Sequence, residues 1–405
     1  MTILLITQHY NPIQGGAARR AARLAEYFAK RGHKLTVLTG FPSYPTGILD
    51  KKYHFKLWTK ETEKIDGKPL KVLRTYEYPA PAKGTGKRII NWLSFTVSAS
   101  VAVLCLPKFD VVVATCPTFL SGIAGLIAKK IWKCDFYFDE SDLWPDSAID
   151  MGLIRQPLLI KLAQRLEKSY YRAAKNIFIA TPAMQRHLES EGIDREKIKL
   201  MLNSADSSVF QPKKLDRIKF GFKKDDFIIT YVGNHSRVYD LETVLRAAKI
   251  LQNYPRIKFI FIGEGETKED LVLESQNMAL SNVDFLPSQD LEEISCYLNL
   301  SDITLIPLVN IKVTQESMPS KTAEYLCAGK PILSSIGCDL KQYIETHEVG
   351  LIYAAKKPQE LVDHILKLYK NPKLRQKMSQ NARRLALKTF SNQSLFKALD
   401  RIFSR

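Results

Sequence analysis

The sequence predicts an α/β protein made of two doubly wound domains, each a parallel sheet with helices on both faces. Short, continuously apolar runs alternate with amphipathic helical stretches, a pattern typical of strands buried on both faces. The alternation restarts after a polar, proline-containing segment (203–214) of the kind that links domains. At about 100–200 residues per domain, 405 residues suffice for two or three domains. We place the first domain at 1–208 and the second at 209–390.

The predicted elements follow one another in the order of a parallel sheet. The predicted strands are Ile3–Thr7, Leu35–Thr39, 110–115, 135–140, 176–180, 198–202, 227–233, 258–263, 283–287, 303–307 and 331–335. The predicted helices are 16–30, 119–130, 157–172, 182–191, 240–252, 267–279, 290–299 and 321–328. Ligands of doubly wound domains bind beyond the carboxyl ends of the strands. We therefore expect functional residues in the loops that follow strands.

One uncharged stretch, residues 89–107, is close in length to a transmembrane helix. Asn91 and several Ser and Thr residues interrupt its apolar character. A membrane span would place the strand at 2–8 and the run 110–115 on opposite sides of a bilayer, whereas a parallel sheet needs both. We therefore expect a buried core helix. A partly exposed interfacial helix is the second reading, and a span is disfavoured.

Composition excludes several protein classes. With 45% hydrophobic and 25% charged residues, the chain is neither intrinsically disordered, nor collagen-like, nor a disulfide scaffold. Its six cysteines form no C-x-x-C pair, so we predict no metal site, and free thiols fit a reducing compartment. The N-terminal run lacks the basic segment and the cleavage site of a signal peptide.

The chain is strongly basic. Sixty Lys and Arg residues against 42 Asp and Glu residues give a net charge of +18. The excess is larger in residues 1–208, which hold 31 basic and 19 acidic side chains. Such a balance indicates an anionic partner: nucleic acid, a membrane surface or a phosphorylated substrate.

The loop after the first strand carries His9 and then Gly15-Gly16 at a helix start. A glycine pair at a helix N-terminus lets backbone approach an anion, which the helix dipole favours. The full G-x-G-x-x-G fingerprint is absent, so a standard NAD site is not expected. A tight strand–helix turn explains the glycines equally well, and a single histidine is more often structural than catalytic.

Three carboxylates, Glu140, Asp142 and Asp146, follow the strand at 135–140 together with Trp and Pro. Carboxylates at the carboxyl end of a strand suit a base or a sugar-binding site. A solvated acidic loop is the alternative. We favour a functional role for Asp142, and expect Glu140, Asp146 and His9 at the acceptor.

Two loops of the second half place glycines directly after strands. Gly233-Asn234 follows the first strand, with Arg237 before the next helix, which suits a diphosphate. Gly263 and Glu264 follow the next strand and suit a base or ribose. Glycine after a strand is also how such turns are commonly built.

The most informative block runs from Glu316 to Glu324 and includes Lys321 in the first turn of a predicted helix. Carboxylates bind polyhydroxylated ligands because each accepts several O–H bonds. A lysine beside the free N–H groups of a helix start suits phosphate. A salt-bridged surface is the alternative, which the Gly-Lys-Pro stop and the position after a strand disfavour.

This block resembles the family 4 retaining glycosyltransferases, whose hallmark is two glutamates separated by seven residues. Other segments agree with the family in order: GHKLTVLTG (32–40), NSADSSVFQP (203–212), FIGEGE (261–266), NVDFLP (282–287) and SDITLIPL (301–308). The resemblance covers essentially the whole chain. It implies the GT-B fold, two Rossmann-like domains facing across a crevice, with the last helix (391–405) crossing back to the first domain. Asp-Leu-Trp-Pro-Asp and Pro-Ser-Lys resemble the bacterial surface-polysaccharide subgroup, including N-acetyl-L-fucosamine transferases.

By position, the resemblance implies that Glu316 holds hydroxyls of the donor sugar and Glu324 the ribose of the nucleotide. It places Gly233 and Asn234 beside the donor diphosphate, and Gly15-Gly16 near donor phosphate or acceptor.

The chain departs from the family at the phosphate clamp. Many members carry Gly-Arg after this strand and a Lys a few residues on, whereas this chain has Gly233-Asn234 and no following Lys. We expect Arg237 and Lys321 to supply the positive charge, with Asp142 orienting the acceptor hydroxyl.

The resemblance implies a retaining glycosyltransferase that uses a nucleotide-diphosphate sugar. We expect a UDP-linked donor, N-acetyl-L-fucosamine or another N-acetylated sugar. The expected acceptor is a polyprenyl-diphosphate-linked saccharide in O-antigen or capsule synthesis. No aspartates stand two apart, so we expect metal independence and no cofactor.

The basic first half then fits an anionic membrane surface. Lys83, Lys87 and Arg88 precede the uncharged stretch, and anionic lipids attract such clusters. We expect peripheral attachment to the cytoplasmic face of the bacterial inner membrane. A GT-B sugar-nucleotide epimerase and a basic nucleic-acid-binding protein are the alternatives. Nucleic acid is disfavoured because the basic residues are dispersed and no nucleic-acid-binding motif occurs.

Overall fold

The computed structural model describes residues 1–405 except 14, 45, 82–84, 117, 151, 153, 336–337 and 404–405. It divides the chain into two compact units, Met1–Met201 and Leu202–Arg405. Each unit contains the predicted parallel sheet with its helices. The predicted domain boundary at residue 208 falls shortly inside the second unit. The helix Asn392–Phe403 is grouped with that unit, and its predicted placement against the first domain stays a prediction.

The first unit holds eight described strands and six helices. The strands are β1 (Thr2–Ile6), β2 (Lys34–Gly40), β3 (Trp58–Ile65), β4 (Lys68–Thr75), β5 (Val111–Cys116), β6 (Asp135–Glu140), β7 (Asn176–Ile179) and β8 (Ile198–Leu200). The helices are α1 (Gly16–Lys30), α2 (Thr85–Cys105), α3 (Ser121–Trp132), α4 (Asp146–Asp150), α5 (Pro157–Ala173) and α6 (Pro182–Ser190). The strand order is β3-β4-β2-β1-β5-β6-β7-β8. The order reverses at β1, whose carboxyl end is therefore the expected site of this unit.

The strands β3 and β4 form an antiparallel hairpin that the sequence analysis did not predict. Along β3, exposed residues alternate with half-buried ones, and no residue of this strand is fully buried. The strand carries Lys60, Glu61, Glu63 and Lys64 and lies at the edge of the sheet. Charged side chains on an edge strand discourage pairing with other chains, and they also hide the strand from a search for apolar runs.

Helix α2 corrects the expectation of a buried core helix. One side of it is buried, with Asn91, Phe95, Ala99 and Val103 against the core of the unit. The opposite side is apolar and exposed: Ile89, Ile90, Leu93, Val97, Val101 and Leu104 are each 44–64% accessible. By length and composition, Gly86–Cys105 could cross a membrane. However, β1 and β5 pair in one parallel sheet, which is the arrangement that argues against a span.

A buried ion pair joins α1 to the sheet. Arg20 is 5% exposed and Asp139 fully buried, with a guanidinium nitrogen 2.7 Å from a carboxylate oxygen. A second guanidinium nitrogen donates to the carbonyl oxygen of Met201 at 2.7 Å. Because an unpaired charge in the core would be strongly destabilising, this pair fixes α1 relative to the carboxyl end of β6.

The second unit is a six-stranded parallel sheet in the order β11-β10-β9-β12-β13-β14. Its strands are β9 (Phe227–Val232), β10 (Ile257–Ile262), β11 (Val283–Leu286), β12 (Ile303–Ile306), β13 (Ile332–Ser334) and β14 (Gly350–Ile352). Its helices are α7 (Leu241–Ile250), α8 (Lys268–Asn277), α9 (Leu291–Leu300), α10 (Lys312–Gln315), α11 (Lys321–Cys327), α12 (Cys338–Thr346), α13 (Pro358–Lys370), α14 (Pro372–Leu385) and α15 (Asn392–Phe403). A separate apolar core covers each face of the sheet. The strand order reverses between β9 and β12, which again predicts a site at their carboxyl ends.

Candidate active site

Two glycine-containing loops touch at the carboxyl ends of β9 and β10. A Cβ added at Gly263 would lie 2.1 Å from the carbonyl oxygen of Gly233, and one at Gly265 would lie 2.1 Å from that of His235. The His235 amide donates to the carbonyl oxygen of Glu264 at 2.9 Å. Gly263 also has a φ of +137°, which favours glycine. The contact between the loops therefore requires glycine at these positions.

Lys321 lies beside this pair of loops. It is the first residue of α11 and is 6% exposed. Its ammonium nitrogen lies 3.9 Å from the ring centroids of both Tyr231 and Tyr239, within the range of a cation–π contact. A Cβ added at Gly233 would lie 2.6 Å from the same nitrogen. The structure thus brings Lys321 to the Gly233 loop, where the sequence lacks a following lysine.

Helix α11 is tied to the end of β9. The amide of Val232 donates to the hydroxyl oxygen of Tyr325 at 2.8 Å. Glu324 precedes this tyrosine in the same helix and is fully buried. Glu316 lies before the helix, in the segment after α10, and is half-buried. The two predicted glutamates therefore flank Lys321 in the chain, while differing in exposure.

The remaining predicted residues of these loops lie nearer solvent. The side chain of Arg237 is 86% exposed, and its Nε lies 3.9 Å from Glu266. Asn234 is exposed, and its carbonyl oxygen accepts from the Tyr231 hydroxyl at 2.6 Å. Glu264 pairs with Lys268 at 2.8 Å on the surface. Of the two predicted clamp residues, Lys321 is the one held against the Gly233 backbone.

His235 is a residue for which the sequence analysis proposed no role. It is fully buried and packs against the rings of Tyr231, Phe261 and Phe285. Burial, together with Lys268 and Lys321, lowers its pKa to about 4, so the ring is neutral near pH 7. Its neighbours in the chain are polar, so no sequence signal marked it as part of the core.

In the first unit, the glycine pair and His9 follow β1. Gly15 has a φ of +150° and directly precedes α1, and a Cβ added there would meet no atom within 4 Å. His9 is half-buried, and its ring centroid lies 5.2 Å from that of Tyr44. Burial and the nearby Arg88 lower the pKa of His9 to about 4. The predicted residues are thus at the expected strand end, with a neutral imidazole among them.

The three carboxylates after β6 differ in their surroundings. Asp142 is exposed, whereas Asp146 is half-buried and lies 3.5 Å from the Nε2 atom of His187. Glu140, predicted at the acceptor, is fully buried and accepts a hydrogen bond from Tyr171. Burial raises its pKa well above the usual range. Glu140 is thus enclosed in the core next to Tyr171, and its predicted role at the acceptor stays a prediction.

Metal ligands are not grouped in the part of the chain that the structure describes: no set of three or more His, Cys, Asp or Glu side chains is placed to hold a metal ion there. Metal independence stays a prediction.

Each half of the chain matches a family model. Residues 15–204 match the glycosyl transferase 4-like domain, and residues 212–385 match glycosyl transferases group 1. These matches favour a transferase over the epimerase and nucleic-acid-binding alternatives.

A curated relative is WcaI of Escherichia coli (strain K12), provisionally described as a colanic acid biosynthesis glycosyl transferase. It is 24% identical over 339 residues, which cover 81% of this chain and 82% of WcaI.

Solved structures share the fold of the whole chain. Sucrose-phosphate synthase of Thermosynechococcus elongatus has a TM-score of 0.76 at 15% identity, over 100% of this chain and 98% of its own. Anabaena HepE in complex with UDP has a TM-score of 0.72 at 18% identity, over 100% of both chains. These similarities confirm the predicted GT-B fold.

The contact between the two loops yields a prediction for stability. Gly263→Ala places a Cβ against the backbone oxygen of Gly233, whereas Gly221→Ala, also at a positive φ, meets no atom within 4 Å. We expect Gly263→Ala to lower the free energy of unfolding by about 1–3 kcal/mol more than Gly221→Ala, because only the former overpacks its surroundings. Urea denaturation of both variants measures this difference. Equal losses would contradict the described loop contact.

Proposed function

We propose a reaction for this chain, which belongs to the glycosyltransferases of GT-B fold: transfer of a sugar from a nucleotide-diphosphate donor with retention at the anomeric carbon. The observation that carries the proposal is the Lys321 ammonium, held beside the Gly233 backbone, in the helix that also carries the buried Glu324. A fixed cation at the end of a strand suits a diphosphate. HepE, of the same fold, was solved with UDP, which supports a UDP-linked donor here.

Each residue has a proposed role in positioning or charge stabilisation. Glu316 binds hydroxyls of the donor sugar and Glu324 the ribose. Lys321 and the Gly233-Asn234 backbone bind the diphosphate and stabilise the negative charge that grows on it as the glycosidic bond breaks. The leaving diphosphate takes the proton of the acceptor hydroxyl on the same face, with Asp142 orienting that hydroxyl. Catalysis then depends mainly on fixed geometry and preorganised charge.

The proposed acceptor is a polyprenyl-diphosphate-linked saccharide of a bacterial surface polysaccharide. The colanic acid description of WcaI supports a polysaccharide pathway, and its 82% coverage by the match includes both domains. The proposed donor sugar is N-acetylated, with N-acetyl-L-fucosamine as the candidate from the sequence resemblance.

We further propose that the protein attaches to a membrane as a peripheral protein. The attaching face is the side of the first unit formed by helices α2, α3 and α5. Helix α3 packs against both α2 and α5. The exposed side of α2 is apolar, and α5 exposes the basic row Lys161, Arg165, Lys168 and Arg172. Lys87 and Arg88 are exposed at the start of α2, whereas Lys83 lies outside the described residues. Apolar and cationic groups on one face suit an anionic bilayer.

The role of Glu316 separates donor-sugar binding from nucleotide binding. In Glu316→Ala, we expect transfer to fall by about 10²–10³-fold while UDP still stabilises the protein. Some nucleotide sugar should raise the melting temperature of the wild type more than UDP does. In Glu316→Ala, the same nucleotide sugar should raise the melting temperature no more than UDP does. Thermal-shift titrations with UDP and a panel of nucleotide sugars, followed by transfer assays, measure both effects.

Glu345→Ala is the matched control, because Glu345 is exposed on α12 and has no proposed role. Near-normal transfer by Glu316→Ala, with its fold intact by circular dichroism, would remove the central assignment.

Metal independence is tested by chelation. Because Lys321 and backbone N–H groups are proposed to carry the charge stabilisation, we expect the transfer rate to stay within about twofold in excess EDTA, where a metal-assisted enzyme would lose several kcal/mol of stabilisation. The rate with added Mg²⁺ serves as the comparison. Abolition by EDTA and recovery with Mg²⁺ would contradict this part of the proposal.

Membrane attachment is tested by placing a charge on the apolar side of α2. In Val97→Glu we expect binding to phosphatidylglycerol-containing vesicles to fall at least about tenfold, since burying a carboxylate in the interface is unfavourable. Leu273→Glu is the control, because Leu273 is comparably exposed, at 57% against 64%, but lies in the second unit. Vesicle sedimentation at low and high salt measures the effect. Equal binding by wild type and Val97→Glu would exclude α2 as the attachment face.

A further inference from the structure

A small pocket opens in the first unit between the loop after β1 and the first turns of α2. Two segments form its other walls, one around Tyr44 and one at residues 80–81. The side chains that line it include those of His9, Tyr44, Arg88, Asn91 and Trp92. Of these, His9 alone was proposed as a site residue from the sequence.

Asn91, which lines the pocket, is held by a chain of buried hydrogen bonds. Thr118 donates to the side-chain oxygen of Gln8 at 2.6 Å. The Gln8 amide donates to Asn91 at 2.6 Å and to Glu77 at 3.0 Å. Asn91 in turn donates to the carbonyl oxygen of Tyr78 at 2.7 Å. Because each member is fixed by its neighbours, the Asn91 side chain is held in place in the wall of the pocket.

The charge of the pocket comes from its rim. Arg88 is exposed in the first turns of a 21-residue helix, whose N-terminal end favours anions. Burial raises the pKa of Glu77, a partner of Gln8 behind the pocket, to about 7, so about half of these carboxyls are uncharged at pH 7. The Nδ1 atom of His9 is buried and makes no hydrogen bond within the described residues. The pocket therefore offers a cation, a neutral imidazole and aromatic walls.

Two other features of this unit are adjacent to residues that line the pocket. The Trp92 ring, which Arg88 approaches to 5.3 Å, contacts the Trp144 ring at 5.4 Å, beside Asp142 in the loop after β6. On the other side, Ile89, Ile90 and Leu93 begin the exposed apolar side of α2. The acceptor loop is therefore next to Trp92 through Trp144, and the apolar residues of α2 alternate in the chain with Arg88, Asn91 and Trp92.

We propose that this pocket binds the diphosphate head of a prenyl-linked lipid, with Arg88 contacting phosphate and Trp92 the adjoining sugar or isoprene unit. The prenyl chain lies along the exposed apolar side of α2. This assignment rests on the proposed function in one respect, that the acceptor is lipid-linked. It adds the residues that recognise the lipid-diphosphate part, and it assigns the exposed apolar side of α2 to contact with the prenyl group.

Calorimetric titration of the full chain with geranyl diphosphate tests the pocket in solution, without a bilayer. We expect Arg88→Gln to weaken binding at least about tenfold, the usual cost of removing a hydrogen bond to a charged group. Arg88 is exposed, so the variant should fold. Lys108→Gln, which removes an exposed cation just beyond the other end of α2, should bind within about twofold of wild type if the effect is local rather than one of net charge.

Inorganic diphosphate and Leu93→Ser separate the two halves of the ligand. Geranyl diphosphate should bind more tightly than inorganic diphosphate, and Leu93→Ser should weaken only the former. Equal binding of geranyl diphosphate by wild type and Arg88→Gln, or equal losses in Arg88→Gln and Lys108→Gln, would overturn the assignment. So would a wild type that does not bind geranyl diphosphate.

Titration with UDP distinguishes failure of the pocket from failure of the proposed function. UDP binding should be the same in wild type and Arg88→Gln. A wild type that binds geranyl diphosphate but no nucleotide sugar would contradict the proposed function and leave the lipid pocket standing. Loss of UDP affinity in Arg88→Gln would show that the pocket serves the donor, which overturns the lipid assignment.

Discussion

The second unit depends on one steric constraint, the close approach of the loops after β9 and β10. The backbone of Gly233 lies where a Cβ of Gly263 would have to fit. The space beside Gly233 is in turn filled by the end of Lys321, which two tyrosine rings flank at 3.9 Å. With Tyr325 joined to Val232, the start of α11 cannot shift without disturbing β9. Glycine thus fixes a cation at the strand end, and the candidate donor site follows from that position.

In the first unit, buried charged groups rather than glycine contacts hold the segments at the carboxyl ends of the strands. Arg20 pairs with Asp139, and Arg74, 2% exposed, pairs with Glu61 and donates to the carbonyl oxygen of Asn11 at 2.6 Å. An isolated buried charge is strongly unfavourable, so each group holds the segment that supplies its partner. These contacts fix the segment after β1, in which His9 lies, and the end of β6, from which the acidic loop begins.

The sequence was sufficient for most of the fold because its strands are buried on both faces. The helix predicted at 16–30 is observed as Gly16–Lys30 and that at 157–172 as Pro157–Ala173. The hairpin of β3 and β4 was missed because its charged edge strand lacks an apolar pattern. At the site, the sequence predicted both Lys321 and Arg237 as diphosphate ligands. Only the packing in the structure shows that the Lys321 ammonium is enclosed by its neighbours, whereas the Arg237 guanidinium is exposed. The burial of Glu140 and His235 likewise depends on neighbours distant in sequence.

Helix α2 shows how topology limits what an apolar segment can do. A helix that is apolar on all sides belongs in a protein core or in lipid. The core takes one side of α2, because β4 before it and β5 after it lie in one sheet. The segment therefore lies against that sheet, an arrangement that argues against a span. The other side, from Ile89 to Leu104, is apolar and is left uncovered by the residues that the structure describes. Water is a poor solvent for such a surface. A lipid interface, or a lipid chain lying along the helix, would remove this apolar area from water while the basic residues stay hydrated. This difference in solvation is the physical reason for proposing a lipid-binding pocket at the start of α2.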